Sequence, residues 1–199
     1  MRDPRCLKSH WLMRDHMALK SRGKVVYVMR NALDVVVSSF HHYNDFLNLW
    51  DNSSNWEEFF DLFVAGDIMS GGYFAHVASW WPHRNEPGVL FVRYEDLKQE
   101  PEREIRRIAA FMGLQSLSDE RLREVVEATS FKRMRSLEET VWPRLQRLLG
   151  LRKDFRMRKG VTGQGRAVLS VAERAVLQQL YEKVLDPLGV PWEWVLASA

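Results

Sequence analysis

The first candidate for chemistry is the tripeptide Lys8-Ser9-His10. Residues two apart on an extended segment point to the same side, so the lysine and the histidine would face one reactant. A histidine can remove a hydroxyl proton near neutral pH, and a neighbouring cation can stabilise negative charge that develops on a leaving oxygen. Two solvated residues near the start of the sequence are the alternative interpretation.

Two further groups of residues indicate an anion site. Arg30 directly follows an apolar run, and Ser38 comes eight residues later; arginine offers a planar fork for phosphate oxygens and serine adds a hydroxyl donor. Arg158, Lys159 and Gly160 place two cations beside a glycine, which lets backbone N–H groups approach an anion. An ordinary turn arginine, a packing serine and a solvated basic loop are the alternatives.

Aromatic residues supply possible stacking surfaces. Tyr94 stands in Tyr-Glu-Asp-Leu and Phe131 in Thr-Ser-Phe-Lys-Arg-Met, and either ring could stack on a purine or simply fill the core. Further aromatic residues predict an apolar wall for a small organic molecule: Phe46, Trp50, Phe74 and Trp81.

The composition restricts the class of protein. With 199 residues, 46% apolar and 28% charged, the sequence is typical of one soluble globular domain. The net charge of +3 includes no long basic block, which favours a small anionic ligand over a nucleic acid. A single cysteine, Cys6, excludes an internal disulfide, and the histidines lack metal-ligand spacing. Without a long apolar run or the apolar core of a signal peptide, we expect no membrane span and a cytoplasmic location.

The elements that position these residues follow an α/β pattern. Residues 24–30 predict a buried strand, and a helical pattern follows from Leu33 to about Tyr43. A second strand is predicted over 88–94. Helices are predicted over 55–66, 71–81, 101–112, from 118 onward and over 170–185, with 141–168 irregular. Two strands are too few for so many helices, so part of the sheet is hidden or missing from the chain.

The order of these signals resembles that of the cytosolic-type sulfotransferases, which use 3′-phosphoadenylyl sulfate (PAPS). The similarity extends from residue 4 to residue 163, and its segments are 8–10, 30–38, 71–81, 94–98 with Pro101, 129–134 and 158–163. It implies a P-loop NTPase-like fold with a parallel sheet flanked by helices. The reaction would be transfer of a sulfuryl group to a hydroxyl or amine of a small apolar or aromatic acceptor, without a metal.

The resemblance also implies residue roles. His10 corresponds to the general base and Lys8 to the cation near the bridging oxygen. The expected ligands of the 3′-phosphate are Arg30, Ser38, Arg158, Lys159 and Gly160. The expected adenine pocket is formed by Tyr94, Thr129 and Phe131.

Departures from the family pattern lower the expected activity. The family's 5′-phosphosulfate loop, Tyr-Pro-Lys-Ser-Gly-Thr-Thr-Trp, has no counterpart in this sequence. Residues 1–199 are therefore interpreted as the C-terminal two-thirds of the domain, without its N-terminal strand and P-loop. We expect this chain alone to bind 3′-phosphoadenosine 5′-phosphate (PAP) weakly and to turn over slowly or not at all, because donors must lie where charge develops.

Other interpretations stay open at this point. The chain could be a non-catalytic remnant or binding module of the same fold. A P-loop kinase is disfavoured because Gly-x-x-x-x-Gly-Lys-Ser/Thr is missing. The family's dimer motif is degraded, which leaves dimerisation uncertain; its positions hold Arg166, Ser170, Val171 and Ala175.

Overall fold

A computed structural model describes residues 6–18, 23–47, 55–68, 71–114, 117–141, 143 and 160–196. Within these ranges the protein has an α/β architecture: a small parallel sheet flanked by helices. The strands are β1 (Val25–Met29) and β2 (Val89–Arg93). The helices are α1 (Met13–Ala18), α2 (Ala32–Leu47), α3 (Trp56–Ala65), α4 (Tyr73–Trp80), α5 (Tyr94–Gln99), α6 (Pro101–Met112), α7 (Asp119–Ala128), α8 (Phe131–Val141), α9 (Gln164–Val168), α10 (Val171–Val184) and α11 (Trp192–Val195). Short 3₁₀ helices cover Trp81–His83 and Asp186–Leu188.

The two strands are parallel and in register, with Val25 opposite Val89 and Met29 opposite Arg93. Their runs of valine and aromatic residues are favourable in a pleated, buried strand. The rings of Tyr27 and Phe91 stack across the pair, with centroids 4.4 Å apart. Because both strands end at the same edge, the residues that follow them are neighbours there.

Local capping explains where several helices begin and end. The side chain of Asn55 accepts a hydrogen bond from the Glu58 amide at the start of α3, and Ser118 does the same for Arg121 at the start of α7. Gly113 ends α6 in the left-handed conformation. The starts of α3 and α7 lie within one residue of those predicted from the sequence, and the bounds of α6 are as predicted.

The hydrophobic core lies between the sheet and helices α2, α3, α4 and α10. It is rich in aromatic side chains, and fully burying each large apolar group contributes about 1.5–3 kcal/mol. Its most deeply buried members include Met29, Val36, Phe59, Phe63, Val77, Trp80, Trp81, Leu177 and Leu185. No helix in the described ranges is long and apolar enough to cross a membrane.

Two predicted boundaries were wrong. Tyr94 does not end the second strand but begins α5, because Arg93 has extended backbone angles and acidic residues in the first turn favour a helix. The region predicted as irregular over 141–168 contains α9, whose contact with α2 depends on tertiary packing. Helices α1 and α8 were not predicted either.

Candidate active site

Arg30, directly after β1, forms the centre of the candidate site. Its Nη2 donates to the Val161 carbonyl at 3.1 Å and lies 3.5 Å from Oδ2 of Asp34. The guanidinium carbon lies 4.5 Å from the centroid of the Tyr94 ring, in cation–π geometry. The in-register pairing of the strands explains this contact, since Arg30 and Tyr94 each directly follow one of them.

Asp34 links Arg30 to a glycine-rich segment far away in the sequence. Its carboxylate is only 3% exposed; Oδ2 accepts from the Gly163 amide at 2.8 Å and Oδ1 from the Gly165 amide at 2.7 Å. Because these hydrogen bonds involve a charged acceptor, they are stronger than neutral ones. Sequence reasoning missed this role, although the spacing of four residues from Arg30 was an available signal.

The backbone of Gly160 lies against the ring of Phe131. Gly160 has a φ of 63°, and a Cβ placed on it would be 2.1 Å from Cδ2 of Phe131. Only glycine can therefore occupy this position without movement of the ring. The predicted ligands Arg158 and Lys159 lie outside the described residues.

The structure thus brings several predicted residues into one continuous set of contacts, from Tyr94 through Arg30 and Val161 to Gly160 and Phe131. Ser38 is half-buried on α2, one helical turn beyond Asp34. Thr129 lies two residues before Phe131, and its exposed hydroxyl donates to the Val125 carbonyl at 2.8 Å.

The arrangement suits a phosphate group. Nε of Arg30 is buried without a hydrogen-bond partner among the described residues, so the guanidinium keeps unmet donor capacity. The Arg30 side chain is 24% exposed, and within the described part of the chain its charge is offset by the Asp34 carboxylate at 3.5 Å. An anion with several acceptor oxygens would satisfy such a group.

Buried hydrogen bonds fix the two strand ends. The Asn31 amide donates to Oε1 of Glu95 at 3.0 Å, and Oδ1 of Asn31 accepts from the Leu33 amide at 2.8 Å. The hydroxyl of Tyr73 donates to the Arg30 carbonyl at 2.8 Å. Burial, with the neighbouring Tyr27 and Glu95, raises the pKa of Tyr73 well above its usual value, so the hydroxyl stays protonated.

Lys8 and His10 are exposed on the segment before α1. That segment is attached to α4: Nε1 of Trp80 donates to the Trp11 carbonyl at 2.9 Å. His76, also on α4, is close enough to the backbone of His10 and Trp11 for that backbone to affect its pKa. Sequence reasoning gave no role to His76, because a single histidine within a helix carries no distinctive signal.

The imidazole of His76 is also tied to β1. Its Nδ1 lies 2.9 Å from the hydroxyl of Tyr27, and the two rings stack. Burial lowers the pKa of His76, and the nearby backbone of His10 and Trp11 opposes this effect. Burial likewise raises the pKa of Tyr27. A neutral imidazole and a protonated phenol are therefore the stable pair.

The predicted aromatic wall is only partly described. Phe74 and Trp81 are 5% and 4% exposed and belong to the core, while the side chains of Phe46 and Trp50 lie outside the described part. The wall stays a prediction. Among the residues with a described placement, no group of three or more His, Cys, Asp or Glu side chains could hold a metal ion.

Comparisons with known proteins identify a family for the chain. The family model described as "Sulfotransferase domain" matches residues 1–189. Sulfotransferase 1A1 of Bos taurus is 32% identical over 196 residues, which are 97% of this chain and 66% of that protein. Sulfotransferase 1A1 of Rattus norvegicus is 34% identical over 92% of this chain and 63% of its own length. The chain thus spans about two-thirds of the length of these curated relatives.

Solved structures of similar fold are also similar to this chain in sequence. The mouse sulfotransferase SULT7A1 complexed with PAP has a TM-score of 0.72 and 27% identity over 87% of this chain and 63% of its own. A retinol dehydratase in complex with androsterone and inactive cofactor PAP has a TM-score of 0.72 and 30% identity over 85% of this chain and 49% of its own. The site at the strand ends, the fold and the family model lead to one conclusion: the chain belongs to the sulfotransferase family and has its α/β fold.

Proposed function

We propose that this chain binds the 3′-phosphate and adenine of PAPS at the ends of β1 and β2. In this proposal it takes part in sulfuryl transfer to a hydroxyl or amine of a small apolar or aromatic acceptor. Arg30 carries the proposal, since it is a partly exposed cation held between Asp34, the Val161 carbonyl and Tyr94, and its Nε has no hydrogen-bond partner among the described residues. The relatives crystallised with PAP support this choice of nucleotide.

Each side chain at the strand ends has a distinct part in binding. Arg30 and Ser38 would donate to phosphate oxygens, together with Arg158, Lys159 and the backbone at Gly160. Tyr94, whose ring contacts the Arg30 guanidinium, and Phe131, whose ring lies against Gly160, would contact the purine together with Thr129. Asp34 would keep the glycine segment and Arg30 in place while the ligand is absent.

His10 and Lys8 would perform the proton transfer and the charge stabilisation. Bound PAPS supplies an activated sulfuryl group, whose S–O bond to the 5′-phosphate breaks as a bond to the acceptor oxygen or nitrogen forms. His10 accepts the proton of the acceptor, and Lys8 stabilises negative charge on the leaving oxygen. The exposure of both side chains leaves them accessible to a reactant.

Calorimetry with two nucleotides tests the binding half of the proposal. PAP and adenosine 5′-phosphate differ in the 3′-phosphate, so a residue that binds this group affects only the first. Because hydrogen bonds to charged groups contribute about 1.5–3 kcal/mol, Arg30→Ala is expected to weaken PAP binding roughly 10- to 150-fold. The affinity of the Arg30→Ala variant for adenosine 5′-phosphate is expected to equal that of the wild type.

Arg84 provides the matched control. Its guanidinium also stacks on an aromatic ring, 4.7 Å from the centroid of Trp81, and donates to a backbone carbonyl at 2.9 Å. Arg84→Ala should therefore leave both affinities unchanged. Equal losses of both nucleotides in Arg30→Ala, or no loss of PAP, would contradict the proposal. For the catalytic half, His10→Asn should abolish any transfer of sulfate from PAPS to a phenol that the wild type performs.

A further inference from the structure

Two side chains of α4 hold the segment that carries His10. Nε1 of Trp80 donates to the Trp11 carbonyl at 2.9 Å, and the Met13 amide donates to Oγ of Ser79 at 3.3 Å. These contacts bridge more than 60 positions of sequence and involve adjacent residues of one short helix.

The same helix is attached to the strand end that carries Arg30. The Tyr73 hydroxyl donates to the Arg30 carbonyl at 2.8 Å, and the Tyr27 hydroxyl lies 2.9 Å from Nδ1 of His76. Tyr73 and His76 are three residues apart on one face of α4, which corresponds to a rise of about 4.5 Å. One helix therefore contacts both the proposed phosphate ligand and the segment that carries the proposed base.

We propose that Ser79 and Trp80 are positioning residues, which hold His10 at a fixed distance from Arg30 across α4. The inference rests on the proposed function, because it assigns a purpose to the distance between base and phosphate ligand. Neither side chain needs to touch a reactant. Their effect is to reduce the number of orientations that the exposed His10 segment samples, so that an acceptor and the nucleotide meet in one geometry.

Neighbouring tryptophans separate this role from simple packing. Trp80 and Trp81 are 3% and 4% exposed, and both belong to the core. Nε1 of Trp81, however, has no hydrogen-bond partner within the described residues. Trp80→Phe and Trp81→Phe thus remove similar buried volume, but only the first removes a hydrogen bond to the His10 segment.

Hydrogen exchange and NMR spectroscopy of the whole chain provide the test. Trp80→Phe is expected to accelerate exchange of the Met13 amide about fivefold, as loss of a typical hydrogen bond implies, and to shift the imidazole resonances of His10. Trp81→Phe should leave the exchange and the resonances of His10 unchanged. The affinity for PAP should be the same in both variants, because Arg30 and its partners are intact.

Two results would overturn the inference: equal changes in the two tryptophan variants, or unchanged His10 resonances in Trp80→Phe. If Trp80→Phe fails to fold, Ser79→Ala replaces it, since it removes only a half-buried hydroxyl; unchanged His10 resonances would again overturn the proposal. If neither the wild type nor any of its variants binds PAP, the proposed function is refuted. The hydrogen-exchange comparison would still decide the role of α4.

Discussion

Replacement of Asp34 is the most informative perturbation of the site. Its buried carboxylate accepts two backbone hydrogen bonds, at 2.7 and 2.8 Å, and faces Arg30. Asp34→Ala leaves these donors without an acceptor. At the lower end of the range for charged hydrogen bonds, about 1.5 kcal/mol each, the free energy of unfolding should fall by roughly 3 kcal/mol. Asp34→Asn retains one acceptor oxygen, so its free energy of unfolding should fall by about half as much.

Urea denaturation followed by circular dichroism measures this loss. For a slope of about 2–3 kcal/mol per molar urea, Asp34→Ala should lower the midpoint by roughly 1–1.5 M without changing the slope. Asp61→Ala is the control, since Asp61 is an exposed aspartate on α3, where a substitution changes stability by less than about 0.5 kcal/mol. Equal midpoints for the two alanine variants would refute the contact between Asp34 and the glycine segment.

Two further predictions concern stability. A Cβ on Gly165 would lie 2.2 Å from the carbonyl carbon of Leu33, so Gly165→Ala should lower the free energy of unfolding by roughly 3 kcal/mol. Gly88→Ala, with open space around its Cβ, should change it little; similar urea midpoints for the two variants would count against the close approach of α9 and α2. Burial raises the pKa of Glu173, but hydrogen bonds from Ser170 and the Trp56 indole outweigh it and lower the pKa from 4.5. Because this carboxylate has the lower pKa in the folded state, its contribution to stability is present above pH 4.5 and is lost as the pH falls through the folded pKa. Glu173→Gln should therefore flatten the acid limb of a plot of urea midpoint against pH, and a slope identical to wild type would argue against these hydrogen bonds.

The elements with strong local signals could be predicted from the sequence. The strand predicted over 24–30 is β1, and the helix predicted over 101–112 is α6, because proline at the first position and glycine after the last define its ends. Arg30 was also predictable, since ligands of open α/β sheets bind where strands end. Its in-register neighbour Tyr94 was identified as a site residue but placed in the wrong element.

Residues whose roles depend on distant contacts could not be predicted. Asp34 accepts hydrogen bonds from amides 129 and 131 positions away, and no local pattern encodes such pairs. Helix α9 forms where the lack of a Cβ at Gly165 lets the backbone approach Leu33. Glycines are equally typical of irregular loops, so the glycines in this segment did not indicate a helix. His76 gains its significance only from the segment that packs against α4.

The Asp34 contact also has a consequence for folding. It closes a loop of 129 residues, for which the chain-entropy cost is about 4 kcal/mol. Contacts between residues close in sequence have a lower cost and can form earlier in folding. The proposed nucleotide site therefore forms only in molecules in which the two ends of this loop have come together. A substitution anywhere between β1 and α9 that destabilises the protein should lower nucleotide occupancy without touching a ligand. Conversely, saturating nucleotide should raise the melting temperature of such variants and restore part of their folded population.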